Sequence, residues 1–475
     1  MRPLVVGFDL DMTLIDTRPG IAAVWDALAA ETGVQIDSAA AVSRLGPPLD
    51  DELAMWFPAE DVAALGDRFR AIYPGLAVEP TAALPGAVLA VEAVRRHGGR
   101  VVVVTAKFEP NARLHLDHLG IEADEVVGWR YGPAKGAALR EHGATVYVGD
   151  HVADIEGARV AGAVSVAVPT GPISAADLHA AGADVVLADL AEFPAWLDGY
   201  VLDRRLADLA EQLAGLGSVA VAFSGGADSA FLLAAAVRAL GAGRVIAVTA
   251  VSGSLPAAEL AGASRFAADL GVRHLTPATA ELDREGYRAN AGDRCYFCKA
   301  ELLDVVGPLA AAHGMAHIAT GTNADDVVAG FRPGIRAAAE RGAVTPLRDA
   351  GLTKEQVRTA SRGWGLVTAD KPAAACLSSR IAYGVAITPA RLSRVERAEV
   401  DLRTALADAG IEVANLRVRD LGDKARVEVD SSQVGAVEAA PTVLDAVRAA
   451  GFSTVELDPR GFRSGSMNEA LRRPG

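Results

Sequence analysis

Two doubly wound parallel sheets followed by a small α+β segment are what this 475-residue sequence predicts. Three observations point there. Short apolar runs alternate with Ala-rich helical patterns through the first two thirds of the chain, as parallel strands with crossover helices do. Carboxylates, hydroxyls and glycines gather at the C-terminal ends of those runs, where open α/β sheets bind ligands. After about residue 389 the order becomes helix, strand, strand, helix, strand, the style of an α+β domain.

The length exceeds what one core organises, so several domains are expected. The motifs fall into two sets, before and after residue 200, which predicts domains at 1–200, 201–388 and 389–475. The first break is expected near Asp198 to Arg205, with a new helix beginning there. A helical insertion, about 18–94, is expected within the first domain.

Composition narrows the partners. Sixty acidic against 46 basic residues give a net charge of -14, which argues against a nucleic-acid partner held by bulk electrostatics. Only six of the basic residues are lysines, so the surviving ones mark places that want a compact ammonium. Met1-Arg2-Pro3 runs straight into the strand-like Leu4–Phe8, too short for a signal-peptide core. The greasiest window, 218–237, contains Ser224-Gly225-Gly226 and Asp228, so it reads as strand, loop and buried helix, not a membrane span. A soluble cytoplasmic protein acting on small molecules, with no nucleic-acid and no membrane partner, is expected.

Along the first domain, the apolar run Leu4–Phe8 delivers Asp9-Leu10-Asp11. Two carboxylates two residues apart lie on one side of an extended chain, so one can attack phosphorus while the other exchanges protons. Val101–Val104 ends in Thr105, whose hydroxyl can hold a phosphoryl oxygen. Lys135 offers a cation. Thr145–Gly149 ends in Asp150, with Asp154 one helical turn further on, an acidic pair suited to Mg²⁺. These four elements, in this order, resemble the haloacid-dehalogenase-like (HAD-like) hydrolases over about residues 1–195. The resemblance implies Asp9 as nucleophile, Asp11 as acid/base, Thr105 and Lys135 on the phosphate, and Mg²⁺ held by Asp9, Asp11 through its carbonyl, and Asp150. It also implies that the insertion 18–94 is a cap over the site.

Along the second domain, the run Val219–Phe223 leads into Ser224-Gly225-Gly226-Ala227-Asp228-Ser229 and a helix. Small residues at a strand end let backbone N–H groups and a helix N-terminus converge on an anion. The lysine of a Walker loop is missing, so the loop reads as an ATP pyrophosphate loop whose product is an adenylated intermediate. Asp228 beside phosphates calls for a cation such as Mg²⁺ between them. Gly321–Asp326 places further carboxylates at the end of the strand His317–Thr320.

The three cysteines stand in Arg294-Cys295-Tyr296-Phe297-Cys298-Lys299 and between Lys371 and Arg380, at Cys376. Basic residues on either side of Cys376 favour its thiolate. Chemically the three can hold a four-iron cluster with one open iron, or the Cys-x-x-Cys can be half a zinc site with His313 or His317, or a redox pair.

These motifs, with Arg332-Pro333-Gly334, Tyr383-Gly384, Arg417-Val418-Arg419 and the run Gly461 to Asn468, resemble the ATP-dependent sulfur transferases of nickel-pincer cofactor synthesis, the LarE family, from about residue 202 to the end. The resemblance implies a PP-loop ATP pyrophosphatase domain of the adenine nucleotide alpha hydrolase-like kind. It implies adenylation of a pyridinium carboxylate, then sulfur attack with release of AMP, at each of two carboxylates. Members with one cysteine sacrifice its sulfur at the Cys376 position, whereas members with three hold a [4Fe-4S] cluster on Cys295, Cys298 and Cys376. Ser224, Gly225, Gly226, Asp228 and Ser229 are implied to bind ATP, and Arg417 and Arg419 the substrate phosphate. The last domain is implied to make homo-oligomer contacts.

Competing readings are another PP-loop activity, amidation of a nucleotide precursor or thiolation of tRNA, and a nucleotide sensor with dead sites. Amidation leaves Cys295 and Cys298 without a role, tRNA conflicts with the acidic balance, and the sensor wastes Asp9, Asp11, Asp150 and Asp228.

Overall fold

The computed structural model describes residues 2–328, 332–372 and 375–463. Ala373, Ala374 and the positions 464–468 of the quoted motifs lie outside them. The chain forms two compact units, Met1–Val201 and Leu202–Gly475.

In the first unit, β1 (Val5–Phe8), β2 (Arg100–Val104), β3 (Glu125–Val127), β4 (Val146–Gly149), β5 (Val164–Ala167) and β6 (Val185–Val186) form a sheet in the order β3-β2-β1-β4-β5-β6. Every neighbouring pair is parallel. Residues of β1, β2 and β4 are buried on both faces, which is why they read as unbroken Val-rich runs and not as alternations. Helices Arg18–Thr32, Ser38–Val42, Leu49–Leu53 and Val62–Ala77 build the cap, with its own core around Trp25, Leu28, Phe69 and Tyr73. A two-stranded flap, Ile15–Asp16 against Ala82–Ala83, connects it.

The cap therefore ends before residue 94. Helix Ala87–Arg96 sinks Ala87, Ala90, Val91 and Val94 into the sheet's core and belongs to the sheet layer. The expected helix start near Asp198–Arg205 is also corrected. One helix, Phe193–Leu216, runs through that stretch, with no proline after Pro194 to break it and Asp198, Gly199 and Asp203 accommodated within it.

In the second unit, β7 (Val219–Ala222), β8 (Val245–Val248), β9 (Arg273–Leu275) and β10 (His317–Thr320) form a parallel sheet, order β9-β8-β7-β10. Helix Ala227–Leu240 follows β7 and is buried almost throughout. The C-terminal segment adds helix Pro389–Asp408 and a mixed sheet of β11 (Leu416–Asp420), β12 (Lys424–Val429) and β13 (Thr454–Leu457). Its core also takes in Tyr287, Leu377 and Ile381, with Phe297 and Cys298 packed against it. Among the described residues, no helix is long and apolar enough to cross a membrane.

Candidate active sites

The first cleft, about 350 Å³, opens at the C-terminal ends of β1, β2 and β4 and is walled by the cap. Parallel strands bring their C-termini to one edge, so Asp9, Asp11, Thr105, Lys135 and Asp150 share one lining. Lys135 Nζ donates to Asp9 Oδ1 at 2.8 Å and to Asp154 Oδ1 at 2.6 Å. Thr13 donates to Asp150 Oδ1 at 2.9 Å. Asp9, Asp150 and Asp154 each offer an oxygen within 4.8 Å of the others, all buried.

Three buried carboxylates around one ammonium are short of positive charge. Burial pushes Asp9 up to about 7 against the pull of Lys135, with Asp154 and Asp11 adding to the rise. Asp150 is raised by burial and by Asp9 and Asp154. A divalent cation bound by oxygen ligands relieves that strain, so these three fit Mg²⁺. The carboxylate of Asp11 faces elsewhere.

Asp11 accepts from Thr17 at 2.6 Å and pairs with Lys107 at 2.9 Å. Burial alone would raise it, but Lys107 and Thr17 outweigh that and hold it below the usual range. Lys107 also donates to the hydroxyl of Tyr73, from the cap, at 2.8 Å. Tyr73 in turn meets His115 Nε2 at 2.9 Å. Burial and Lys107 push His115 down to about 4, which keeps it neutral. Thr105 is buried, and its hydroxyl accepts from the Lys107 backbone N–H at 3.2 Å. Motif order alone does not single out Lys107, Thr17, Tyr73 or His115, and the sequence reading missed all four; the scarcity of lysine is the one signal that could have marked the first of them.

The second cleft, about 320 Å³, lies over the ends of β7, β8 and β10 and is lined by Ser224, Gly226, Asp228, Ser229, Lys299 and Asp326 among others. Gly225 takes φ 72°, and Gly226 begins the helix without a side-chain cap. The first N–H groups of that helix are thus left for an anion. Ser224 and Ser229 face each other at 3.1 Å between their hydroxyl oxygens. Asn323 donates to Asp228 at 3.2 Å. Burial raises Asp228, and Asp326 adds to the rise. The uncapped helix end and the paired carboxylates suit a Mg²⁺-bound triphosphate.

Cys295 and Cys298 stand one turn apart at the start of helix Arg294–Ala312, and Cys376 precedes the turn Leu377–Arg380. Burial raises the thiol of Cys298, desolvation by neighbouring groups raises that of Cys295 although this residue is exposed, and Cys376 adds to both. The three are thus near enough to sense one another's charge. Yet among the described residues no three cysteine sulfurs lie within 4.8 Å of one another, the reach of a single ion. Nor does either His313 or His317 join Cys295 and Cys298 within that reach, so the spacing does not fit the zinc reading of the Cys-x-x-Cys. A polynuclear centre binds each thiolate at a different iron, and the donor set is compatible with it.

The bases flanking Cys376 are engaged elsewhere, contrary to the expectation that they serve its thiolate. Lys371 donates to Gly225 O at 2.9 Å and to Glu259 at 2.6 Å, clamping the loop from outside. Arg380 pairs with Glu399 at 2.9 Å and donates to the carbonyl of Cys376 at 3.1 Å. Lys299, next to Cys298, reaches the nucleotide cleft.

Arg419 is buried against Glu428 at 2.7 Å and donates to Ser379 O at 3.1 Å. Arg417 is half-buried over the ring of Phe462, and burial together with Arg380 and Arg419 pushes it down to about 10. Three guanidiniums therefore crowd near the Cys376 turn.

The haloacid dehalogenase-like hydrolase family model matches residues 6–159. A phosphoglycolate phosphatase of Caulobacter vibrioides is 27% identical over 40% of this chain and 88% of its own length. An uncharacterized protein of Synechocystis sp. is 38% identical over 58% of this chain and its whole length. The pyridinium-3,5-bisthiocarboxylic acid mononucleotide synthase of Lactiplantibacillus plantarum is 32% identical over 57% of this chain and 96% of its own length. With the pyrophosphate-type loop, the three thiols and the arginine cluster in place, the chain belongs to the family of that synthase, with a haloacid dehalogenase-like hydrolase domain at its N-terminus.

Proposed function

We propose that the second unit is an ATP-dependent sulfur transferase acting on pyridinium-3,5-biscarboxylic acid mononucleotide, and that the first is a Mg²⁺-dependent phosphatase for a small phosphate monoester. What supports the transferase reading most is one helix start: Cys298 and Lys299 are adjacent, and Lys299 lines the cleft of the pyrophosphate loop. Activation and sulfur delivery thereby share a wall.

A carboxylate is a poor electrophile, so its oxygen first attacks the α-phosphorus of ATP and pyrophosphate leaves. The uncapped helix end and the hydroxyls of Ser224 and Ser229 hold the departing pyrophosphate. Asp228 and Asp326 hold Mg²⁺ against it. Arg417 suits the substrate's own phosphate as a planar guanidinium fork, with Arg380 and Arg419, already paired with Glu399 and Glu428, set close beside it. Sulfur then bonds to the acyl carbon and AMP leaves. Cys295, Cys298 and Cys376 would hold a [4Fe-4S] cluster, which when bound supplies a sulfide at its open iron.

In the first unit, an Asp9 oxygen attacks phosphorus and the ester oxygen leaves, taking its proton from solvent, while Asp11, held ionised by Lys107 and Thr17, is poised as the base that takes a proton from the attacking water. Water then releases phosphate from Asp9. Lys135 and Thr105 offset and hold the phosphoryl oxygens. The assay is product analysis. ATP and the pyridinium substrate should give AMP and pyrophosphate, and ADP in their place would end the adenylation reading. Cys376→Ala should keep AMP formation and lose thiocarboxylate, and persistence of thiolated product would remove Cys376 from its role. Iron-free, colourless protein after anaerobic reconstitution would remove the cluster.

A further inference from the structure

The mouth of the phosphatase cleft holds a strained, exposed tryptophan that the phosphatase chemistry does not use. Trp129 is 58% exposed and has φ 53°, a left-handed backbone that a bulky residue adopts only when its surroundings impose it. Its surroundings do so. The Trp129 N–H donates to Lys107 O at 3.0 Å, and the Arg130 N–H to Thr105 O at 2.9 Å. These bonds tie the loop to Lys107 and Thr105, which line the same cleft as Asp9. Gly128 lets the loop pass, since a Cβ there would lie 2.5 Å from the backbone nitrogen of Glu109.

The indole is also framed. Phe108 lies beside it with ring centroids 5.2 Å apart, and the guanidinium of Arg70, from the cap, sits 5.6 Å from its centre. Trp129, Phe108 and Arg70 all line the same cleft as Asp9. A rigid aromatic shelf at the mouth of a cleft of about 350 Å³, at the small end of ligand pockets, has the size for one ring and its sugar. Neither rim arginine is without an anion: Arg44 pairs with Glu52 at 2.6 Å, and Arg70 with Asp50 at 3.1 Å.

We infer that Trp129 is a stacking platform for the leaving group, and that the phosphatase takes phosphate monoesters bearing an uncharged planar heteroaromatic ring, mononucleotides such as AMP. This rests on the phosphatase reading of the first unit. A ring carrying two carboxylates finds no spare cation on this rim, so the dicarboxylated pyridinium mononucleotide is disfavoured.

The test is phosphate release by the full chain with Mg²⁺, comparing AMP, the dicarboxylated mononucleotide and phosphoglycolate, each with wild type, Trp129→Ala and Trp129→Phe. AMP should be the best substrate. Trp129→Ala should lower kcat/KM for AMP about ten- to hundredfold, the effect of losing one base-aromatic stack, mainly through KM. Phosphoglycolate turnover should hold within about twofold, and Trp129→Phe should restore most of the AMP rate. Equal turnover of AMP and phosphoglycolate, or equal losses on both in Trp129→Ala, would overturn the stacking site and leave the phosphatase reading intact. No release from any ester by folded protein would overturn the phosphatase reading and the platform with it.

Discussion

Replacing Lys135 by Met keeps the stem's volume and removes the ammonium that holds Asp9 and Asp154 at 2.8 and 2.6 Å. Three buried carboxylates would remain, with oxygens within 4.8 Å of one another. At an effective dielectric of about 20, each ionised pair at that distance repels by about 3 kcal/mol. Removing one partner of a buried pair costs about 3–5 kcal/mol. For a unit of this size, at about 2–4 °C per kcal/mol, the ion-free variant should melt about 6–20 °C lower. The sign with pH follows from Asp9. Its folded pKa of about 7 lies above its usual 3.8, so the folded state holds the proton more tightly. That contribution is complete below 3.8 and is lost as pH rises through 7. Without Lys135 the loss deepens, so the deficit should be small near about pH 5 and large near about pH 8, with saturating Mg²⁺ recovering part of it. Thermal unfolding of the chelator-treated full chain at both pH values, with and without Mg²⁺, reads this. The same deficit at both pH values, or none at either, would refute the electrostatic reasoning.

Three further outcomes are expected. Lys371→Met frees the carbonyl of Gly225 and should raise the KM for ATP about tenfold, the equivalent of one charge-assisted hydrogen bond, measured by pyrophosphate release. Gly321→Ala would set a Cβ 2.8 Å from Ser229 N and 3.0 Å from Asp228 C, so calorimetry should find ATP binding lost in a protein that still folds. Glu428→Leu strips Arg419 of its buried carboxylate and should destabilise the second unit by about 3–5 kcal/mol in urea titration, with the sulfur-transfer step impaired as well.

Much of both sites was legible because parallel sheets place function at strand ends, and strand ends are marked in a sequence. Asp9, Thr105 and Asp150 each directly follow an apolar run, and the structure sets them in one cleft. What was not legible depends on contacts that no period encodes. Tyr73 reaches Lys107 across 34 residues, from a cap helix whose other aromatic residue, Phe69, packs in the cap core. Lys371 returns to the Gly225 carbonyl across 146 residues. The strands Glu125–Val127, Arg273–Leu275 and Val185–Val186 are too short to show any alternation and are held by their neighbours. Proximity in the chain misled at Cys376, where adjacent basic residues turned out to be committed to Glu259 and Glu399.

The mixed sheet β11-β12-β13 shares its hydrophobic interior with Tyr287, Leu377 and Ile381, and Cys298 rests against the same interior. The tail is therefore not a detachable module. A truncation ending before Pro389 would leave those side chains facing water and unseat the floor beneath Cys298. Any shortened version of the second unit would have to rebuild that floor, which makes the residues from Pro389 onward an obligatory part of the scaffold around Cys298.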